Sequence, residues 1–390
     1  MKSIQQTLII SKWAPPLVGG TPTIMRSLLK HFLKGSYSIL TGNMLEDNMR
    51  ADLETTMNCQ YYIIDLPPFL NARKNIWYLA PFLECLLIFL VTIKGLYIVK
   101  KKNIKNILAT TYGGFEVAAY FIHKITGKRL YIYLFDIYEE SQRTTWGRFK
   151  SRLIEARLLY AAKNVFVMSE FLKEHIKTKY DIESIFIPHA LDTSFKYNNN
   201  EKIFVPGKKP FIVVYTGMIY EAQIESILNM VKVVNMLPKG KLIFKIYSPQ
   251  SIYSLERKGI KGHNVFCGFV TSKDIPLVQQ EADALFLPYS FNSPFPLVIK
   301  TASPAKIAEY LAASRPIIVN APGDSYISYY ARTKGFGIVV DKPNPTELKE
   351  AILRLMSDAN LRNQLINNAR KTAHEHDGEI LSKKLQTYLA

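Results

Sequence analysis

The chain has 390 residues, 48% of them hydrophobic and 21% charged, with a formal net charge of +18 at pH 7. The length suits two domains, each large enough for its own core, and the composition excludes wholesale disorder. The positive surplus favours anionic partners such as nucleotide-sugars, lipid phosphates or an acidic membrane face. The sequence has no zinc-finger spacing and no aromatic–basic RNA-binding signature, so nucleic acid is not an expected partner.

The charge is spread over both halves of the chain rather than carried on a tail. Cys59, Cys85 and Cys267 are scattered without a pairing pattern and read as free thiols in a reducing compartment. The seven histidines form no cluster at metal-ligand spacing, so no metal site is expected. The apolar run before Lys12 is short for a signal peptide, which gives a cytoplasmic expectation.

Thr7 to Ser11 is short and β-rich and predicts a buried strand. It leads into Gly19-Gly20 and a helical pattern over Ile24 to Phe32, the opening of a βαβ unit. Paired glycines let backbone approach a ligand at a helix N-terminus, and any tight turn can also use them. There is no Gly-x-Gly-x-x-Gly, which argues against a dinucleotide-dependent dehydrogenase. Tyr37 to Leu40 and Tyr61 to Leu66 predict further strands. Ile76 to Val99 is the most apolar long segment, with Pro81 at a helix start and Glu84 and Lys94 as interruptions. It reads as a buried amphipathic helix, as an in-plane membrane helix beside the Lys100-Lys101-Lys102 run, or as a span, which needs about 20 apolar residues.

Asn106 to Thr111 predicts a strand, and Leu130 to Asp136 another that ends in a carboxylate. Ligands of α/β sheets bind outside the carboxyl ends of strands, so Asp136 is a candidate site residue; a helix cap or turn is the plainer role. Arg143, Arg148, Lys150, Arg152 and Arg157 follow on a helical pattern, as a solvated face or a phosphate-binding one. Asn164 to Met168 predicts a strand before Ser169, an N-cap. The polar stretch Asn198 to Lys202 suits a linker edge.

Phe211 to Gly217 is a strand followed by glycine that opens a second α/β domain, with further strands at Lys241 to Tyr247 and Pro316 to Val319. In Thr301 to Leu311, Ser303 suits a cap and Pro304 a first helical position. Ile307, Tyr310 and Leu311 recur at helical spacing, with Lys306 in the first turn and Glu309 one turn on. A helix N-terminus with a lysine can hold a diphosphate, and the glutamate can accept from sugar hydroxyls. A solvated Lys–Glu surface pair has the same spacing. Helices are expected over Pro345 to Met356 and Leu361 to Leu389.

The run from Ser303 to Ile318, SPAKIAEYLAASRPII, resembles the donor-binding helix of the retaining nucleotide-sugar glycosyltransferases of family 4. Ile185 to Asp192, Asn264 to Val270 and Ala282 to Tyr289 resemble further segments of that family. The resemblance implies an α/β fold of two facing Rossmann-like domains, the GT-B architecture. Residues 1–195 would form the acceptor-side domain and 196–370 the donor domain, with 371–390 a last helix crossing back. It further implies that Lys306 contacts the donor diphosphate and Glu309 the ribose, with Gly217, Ser303, Pro304 and Ala305 also at the donor and Gly268, Phe269 and Val270 at the base. Gly19, Gly20 and His189 would line the cleft, and Asp136 would join Lys306 as a catalytic candidate.

The implied reaction is metal-independent sugar transfer from a nucleotide-diphosphate sugar to a glycan or lipid-linked acceptor, with retention and no cofactor besides the donor. No Asp-x-Asp triplet occurs. The setting implied is bacterial-type surface polysaccharide synthesis, in the cytoplasm or at the inner face of an anionic membrane. Several positions depart from the family pattern. Met218 and Gln223 replace an arginine and a lysine, Thr301 the first of two glutamates, and Phe135 a histidine, while His189 and Ala190 replace Asn-Gly. These departures keep a non-catalytic partner subunit open as an alternative, beside a nucleotide-sugar epimerase.

Overall fold

A computed structural model describes residues 6–17, 19–42, 56–64, 80–111, 114–137, 139–140, 144–191 and 210–390. The chain forms two compact units, Met1–Ala190 with Gly378–Ala390, and Leu191–Asp377.

The first unit is built on β1 (Thr7–Ile10), β2 (Tyr37–Gly42), β3 (Gln60–Ile64), β4 (Asn106–Thr110), β5 (Arg129–Leu134), β6 (Asn164–Val167) and β7 (Ile185–Phe186). They pair in parallel in the order β3-β2-β1-β4-β5-β6-β7. Leu8, Ile9, Ile107, Leu130, Ile132 and Phe166 are fully buried or nearly so, as strands covered on both faces require. The helices are α1 (Gly20–Leu29), α2 (Ala80–Lys101), α3 (Phe115–Thr126), α4 (Thr145–Ala161) and α5 (Glu170–Tyr180). Ser169 caps α5 through its hydroxyl, which accepts from the Leu172 N–H at 3.0 Å.

The second unit orders its six strands as β10-β9-β8-β11-β12-β13, all parallel. These are β8 (Phe211–Thr216), β9 (Leu242–Tyr247), β10 (Val265–Gly268), β11 (Ala284–Pro288), β12 (Ile317–Asn320) and β13 (Gly337–Val340). Helices α6 (Ile224–Asn235), α7 (Ile252–Arg257), α8 (Ile275–Gln280), α9 (Pro296–Thr301), α10 (Ile307–Ala312), α11 (Tyr326–Lys334), α12 (Pro345–Ser357) and α13 (Ala359–Ala373) complete it. Phe211, Tyr215, Met230, Phe244, Phe286 and Leu348 meet in one core between sheet and helices. In each sheet the strand order reverses once, between β1 and β4 and between β8 and β11. Such switch points open a crevice beyond the strand ends.

The last helix, α14 (Gly378–Leu389), belongs to the first unit. Leu381, Leu385 and Leu389 are buried, the Leu389 carbonyl accepts from Asn106 Nδ2 at 2.5 Å, and α14 packs on α1.

Several expectations shift. Helix α1 covers Gly20–Leu29 rather than residues 24–32, because Pro22 tolerates the first turn, where no N–H is needed. Strand β5 stops at Leu134, and Asp136 sits in the bend beyond it. The crossing back comes at Gly378, not at residue 371, because α13 buries Leu365, Ala369 and Thr372 in the second unit. The boundary expected at 195/196 lies outside the described residues. So do residues 65–66 of the expected third strand and residues 76–79 of the apolar segment.

Candidate nucleotide-binding site

β8 and β11 pair only through Ala284↔Val213 and Leu285↔Val214. The strands therefore part before β8 ends at Thr216, and the Thr216 N–H lacks a ladder partner there. Tyr310, fully buried on α10, fills the gap: its hydroxyl accepts from the Thr216 N–H at 3.1 Å and from Thr216 Oγ1 at 3.4 Å. A buried backbone donor left unpaired would cost about 1–3 kcal/mol, so Tyr310 both fills the core and satisfies the open strand end.

Lys306 projects into the same place. Its Nζ donates to Tyr215 Oη at 3.0 Å and lies 4.1 Å from the centroid of that ring. Tyr215 is fully buried and donates its own proton to the Met218 carbonyl at 2.6 Å. Burial pushes the Tyr215 phenol well above its usual range, so it stays a neutral donor–acceptor relay. Gly217 closes the other side. Its φ of +125° disfavours any side chain, and a Cβ there would stand 3.3 Å from Lys306 Nζ. The lysine keeps some solvent access, but its ammonium end is enclosed. Burial lowers its pKa to about 8, with Glu309 pulling the other way.

Glu309 stands one turn along. Gln279, buried on α8, donates through Nε2 to Glu309 Oε2 at 3.3 Å and to Thr216 Oγ1 at 3.2 Å. Gln279 thus ties the carboxylate to the strand end and orients it. The loop after β11 is held separately. Glu225, in the first turn of α6, accepts from the Phe291 N–H at 2.7 Å, the Asn292 N–H at 2.8 Å and Asn292 Nδ2 at 2.8 Å. Ser290 Oγ donates to the Glu221 carbonyl at 2.7 Å.

The expected helix start at Pro304 is overturned. α10 begins at Ile307, Lys306 is its N-cap residue, and Ser303 does not cap it. Proline restricts the residue before it to extended backbone, so Ser303 and Pro304 join a turn closed by the Ile307 N–H to the Pro304 carbonyl at 3.0 Å. Lys306 therefore acts from the turn ahead of a short helix, through its own charge more than through an aligned helix dipole. Ser303, Pro304 and Ala305 lie half-buried along this turn. Gly268 ends β10, two strands from β8, and Phe269 and Val270 follow it, with Phe269 53% exposed. Thr301, in the last turn of α9, donates its hydroxyl to the Leu297 carbonyl at 2.9 Å. Met218 is exposed, and Gln223 is buried at the head of α6.

The first-unit candidates occupy their own sheet. Gly19 precedes α1 and Gly20 starts it. Asp136 is half-buried beyond β5, and His189 is buried at 1% exposure. Sequence reasoning missed Tyr215, Thr216, Gln279 and Glu225 as site builders. Only the polar Tyr-Thr-Gly end of an otherwise apolar strand hinted at them.

Residues 196–372 match the family described as "Glycosyl transferases group 1". An uncharacterized glycosyltransferase of Methanocaldococcus jannaschii is 25% identical over 234 residues, which are 55% of this chain and 56% of that protein. The aligned segment thus spans about half the length of each. Among solved structures, HepE of Anabaena in complex with UDP-glucose covers 99% of both chains, with a TM-score of 0.70 at 14% identity. A glycosyltransferase from Rickettsia africae covers 98% of both, with a TM-score of 0.67 at 15% identity. Sucrose-phosphate synthase from Thermosynechococcus elongatus covers 99% of this chain and 98% of its own, with a TM-score of 0.67 at 13% identity. These structures share the fold of two Rossmann-type sheets along nearly the whole chain. Residues 196–372, with the open strand end and the enclosed lysine of the second sheet, thus resemble the group 1 glycosyltransferases, and the chain as a whole shares the two-sheet fold of these solved structures.

Proposed function

We propose that the chain transfers a sugar from a nucleoside-diphosphate sugar to an acceptor hydroxyl, with retention of anomeric configuration. The observation that carries this reading is Lys306, a cation enclosed by Tyr215 and Gly217 at the β8/β11 switch point. A diphosphate there would meet a fixed positive charge aimed at the oxygens that gain charge as the sugar leaves. Glu309, oriented by Gln279, is placed one turn away to accept from ribose hydroxyls. HepE, similar in fold, is a complex with UDP-glucose, which supports a UDP-sugar as the first donor to try. A glycan or lipid-linked acceptor in surface polysaccharide synthesis fits this chemistry, with Gly19, Gly20 and Asp136 as the acceptor-side candidates. In this reading the protein supplies the leaving-group charge itself, so chelation with EDTA leaves turnover unchanged.

Calorimetry with UDP and UDP-glucose tests the proposal. Lys306→Ala weakens binding by about 1.5–3 kcal/mol, the scale of a charge-assisted hydrogen bond. Glu309→Gln weakens it with little change in melting temperature. Unchanged binding in the lysine variant sinks the assignment. Met218 and Gln223 stand where relatives are expected to carry cations and favour one rival, a non-catalytic partner subunit. Slow hydrolysis of the nucleotide-sugar without acceptor excludes that rival, and product analysis excludes an epimerase.

A further inference from the structure

Three helices of the first unit, α2, α3 and α4, form one layer. Gly95 of α2 sits so close to α3 that a Cβ would stand 2.2 Å from Ile122 Cδ1. Glu84 of α2 is paired with Lys150 of α4 and accepts from Trp146 Nε1 at 3.1 Å. The inward face of α2 buries Leu83, Leu87, Val91 and Ile98.

The outward face of this layer is apolar where a helix in water turns polar. On α2, Phe82, Cys85, Phe89, Ile93 and Tyr97 recur at spacings of three and four and are exposed, Phe82 at 65% and Phe89 at 60%. On α3 the exposed pair is Phe121 and Ile125, and on α4 it is the series Trp146, Phe149 and Leu153. The charges sort by sign. The acidic residues of the three helices turn inward: Glu116 is fully buried, Glu155 is 2% exposed, and Glu84 is held by Lys150. Lys100, Lys101, Lys124, Arg148 and Arg157 point outward.

We propose that this face docks in the plane of an anionic bilayer, with its aromatic residues among the lipid headgroups and its basic residues on the lipid phosphates. Aromatic stripes flanked by lysine and arginine are the chemistry of interfacial helices. Charge complementarity selects this occupant over a second copy, because two such faces would meet with like charges, and none of the described carboxylates of the three helices turns outward to pair them. Helix α2 is long and apolar enough to cross a bilayer. Its inner face is nevertheless committed to the fold, which fixes an in-plane contact.

Vesicle flotation of the full chain tests this, with phosphatidylcholine alone against phosphatidylcholine containing phosphatidylglycerol, at low and high salt. The wild type floats with the anionic vesicles at least about tenfold more strongly than with the neutral ones, and added salt weakens the binding. The variant Phe89→Ser with Phe149→Ser keeps every charge, yet loses about tenfold in partitioning while its thermal melt is retained. Equal flotation of variant and wild type would mean that bulk charge alone binds, and overturns the proposal. So does failure of the wild type to float at low salt. A dimer in sedimentation that the same substitutions dissociate, without flotation, assigns the face to a second copy and also overturns it.

Discussion

Lys306 is held in a state that favours ligand binding over stability. Its pKa of about 8 lies below the 10.5 of a free lysine. The unfolded chain therefore keeps a proton between those values that the folded chain sheds. Below pH 8 both states are charged, and the cost of enclosing the ammonium is borne in full. As pH rises from 8 towards 10.5 that cost is relieved. Lys306→Met should thus stabilise the ligand-free protein by about 1–3 kcal/mol at pH 7, a gain that shrinks as pH rises past 8, while UDP binding is weakened. Thermal melts at pH 7 and pH 9.5 check the sign. A bound diphosphate raises the lysine's pKa, so binding near pH 8 should take up protons, which appears as a buffer-dependent enthalpy in calorimetry. Gly217→Ala strains a φ of +125° and crowds Nζ. It should cost about 1–3 kcal/mol in denaturant unfolding and weaken UDP binding.

The loop after β11 has its position set from outside itself. Glu225 accepts three hydrogen bonds from Phe291 and Asn292, so Glu225→Ala should cost about 1–3 kcal/mol and speed protease cleavage within residues 290–295. Strands were legible in the sequence, because apolar β-rich runs bounded by polar turns have few alternatives, and β8, β9 and β12 start and stop within a residue or two of expectation. Lys306 and Glu309 are named as donor contacts by resemblance alone, and the structure brings both to one strand end. Their surroundings were not legible. Gln279 and Tyr215 reach them from 30 and 91 residues away in sequence, and spacing carries no information about such contacts. The start of α10 was misread because Pro304 suits both a first helical turn and the turn ahead of one. The apolar segment was read correctly as a helix, but hydrophobicity alone did not reveal that half of its apolar face points outward.

The first unit is discontinuous in sequence. Its α1 surface is completed by α14, and the Leu389 carbonyl accepts a hydrogen bond from the buried Asn106 amide. A chain ending at Asp377 would lack Leu381, Leu385 and Leu389 on that surface and the Asn106–Leu389 hydrogen bond. This truncation should lower the melting temperature of the first unit by several degrees, the scale of a few kcal/mol in a domain of this size. The second unit, whose core excludes those residues, should be spared. Differential scanning calorimetry with UDP present to mark the second unit distinguishes the two.

The return of α14 also separates the order of synthesis from the order of completion. The strands of the first sheet are translated before the second unit, yet the helix that seals them is translated after it. At about 5–20 residues per second, translation of residues 191–377 holds that surface open for on the order of ten to forty seconds. During that interval the surface that Leu381, Leu385 and Leu389 cover should stay open to chaperones, whereas the second unit has its six strands in hand before α14 is made.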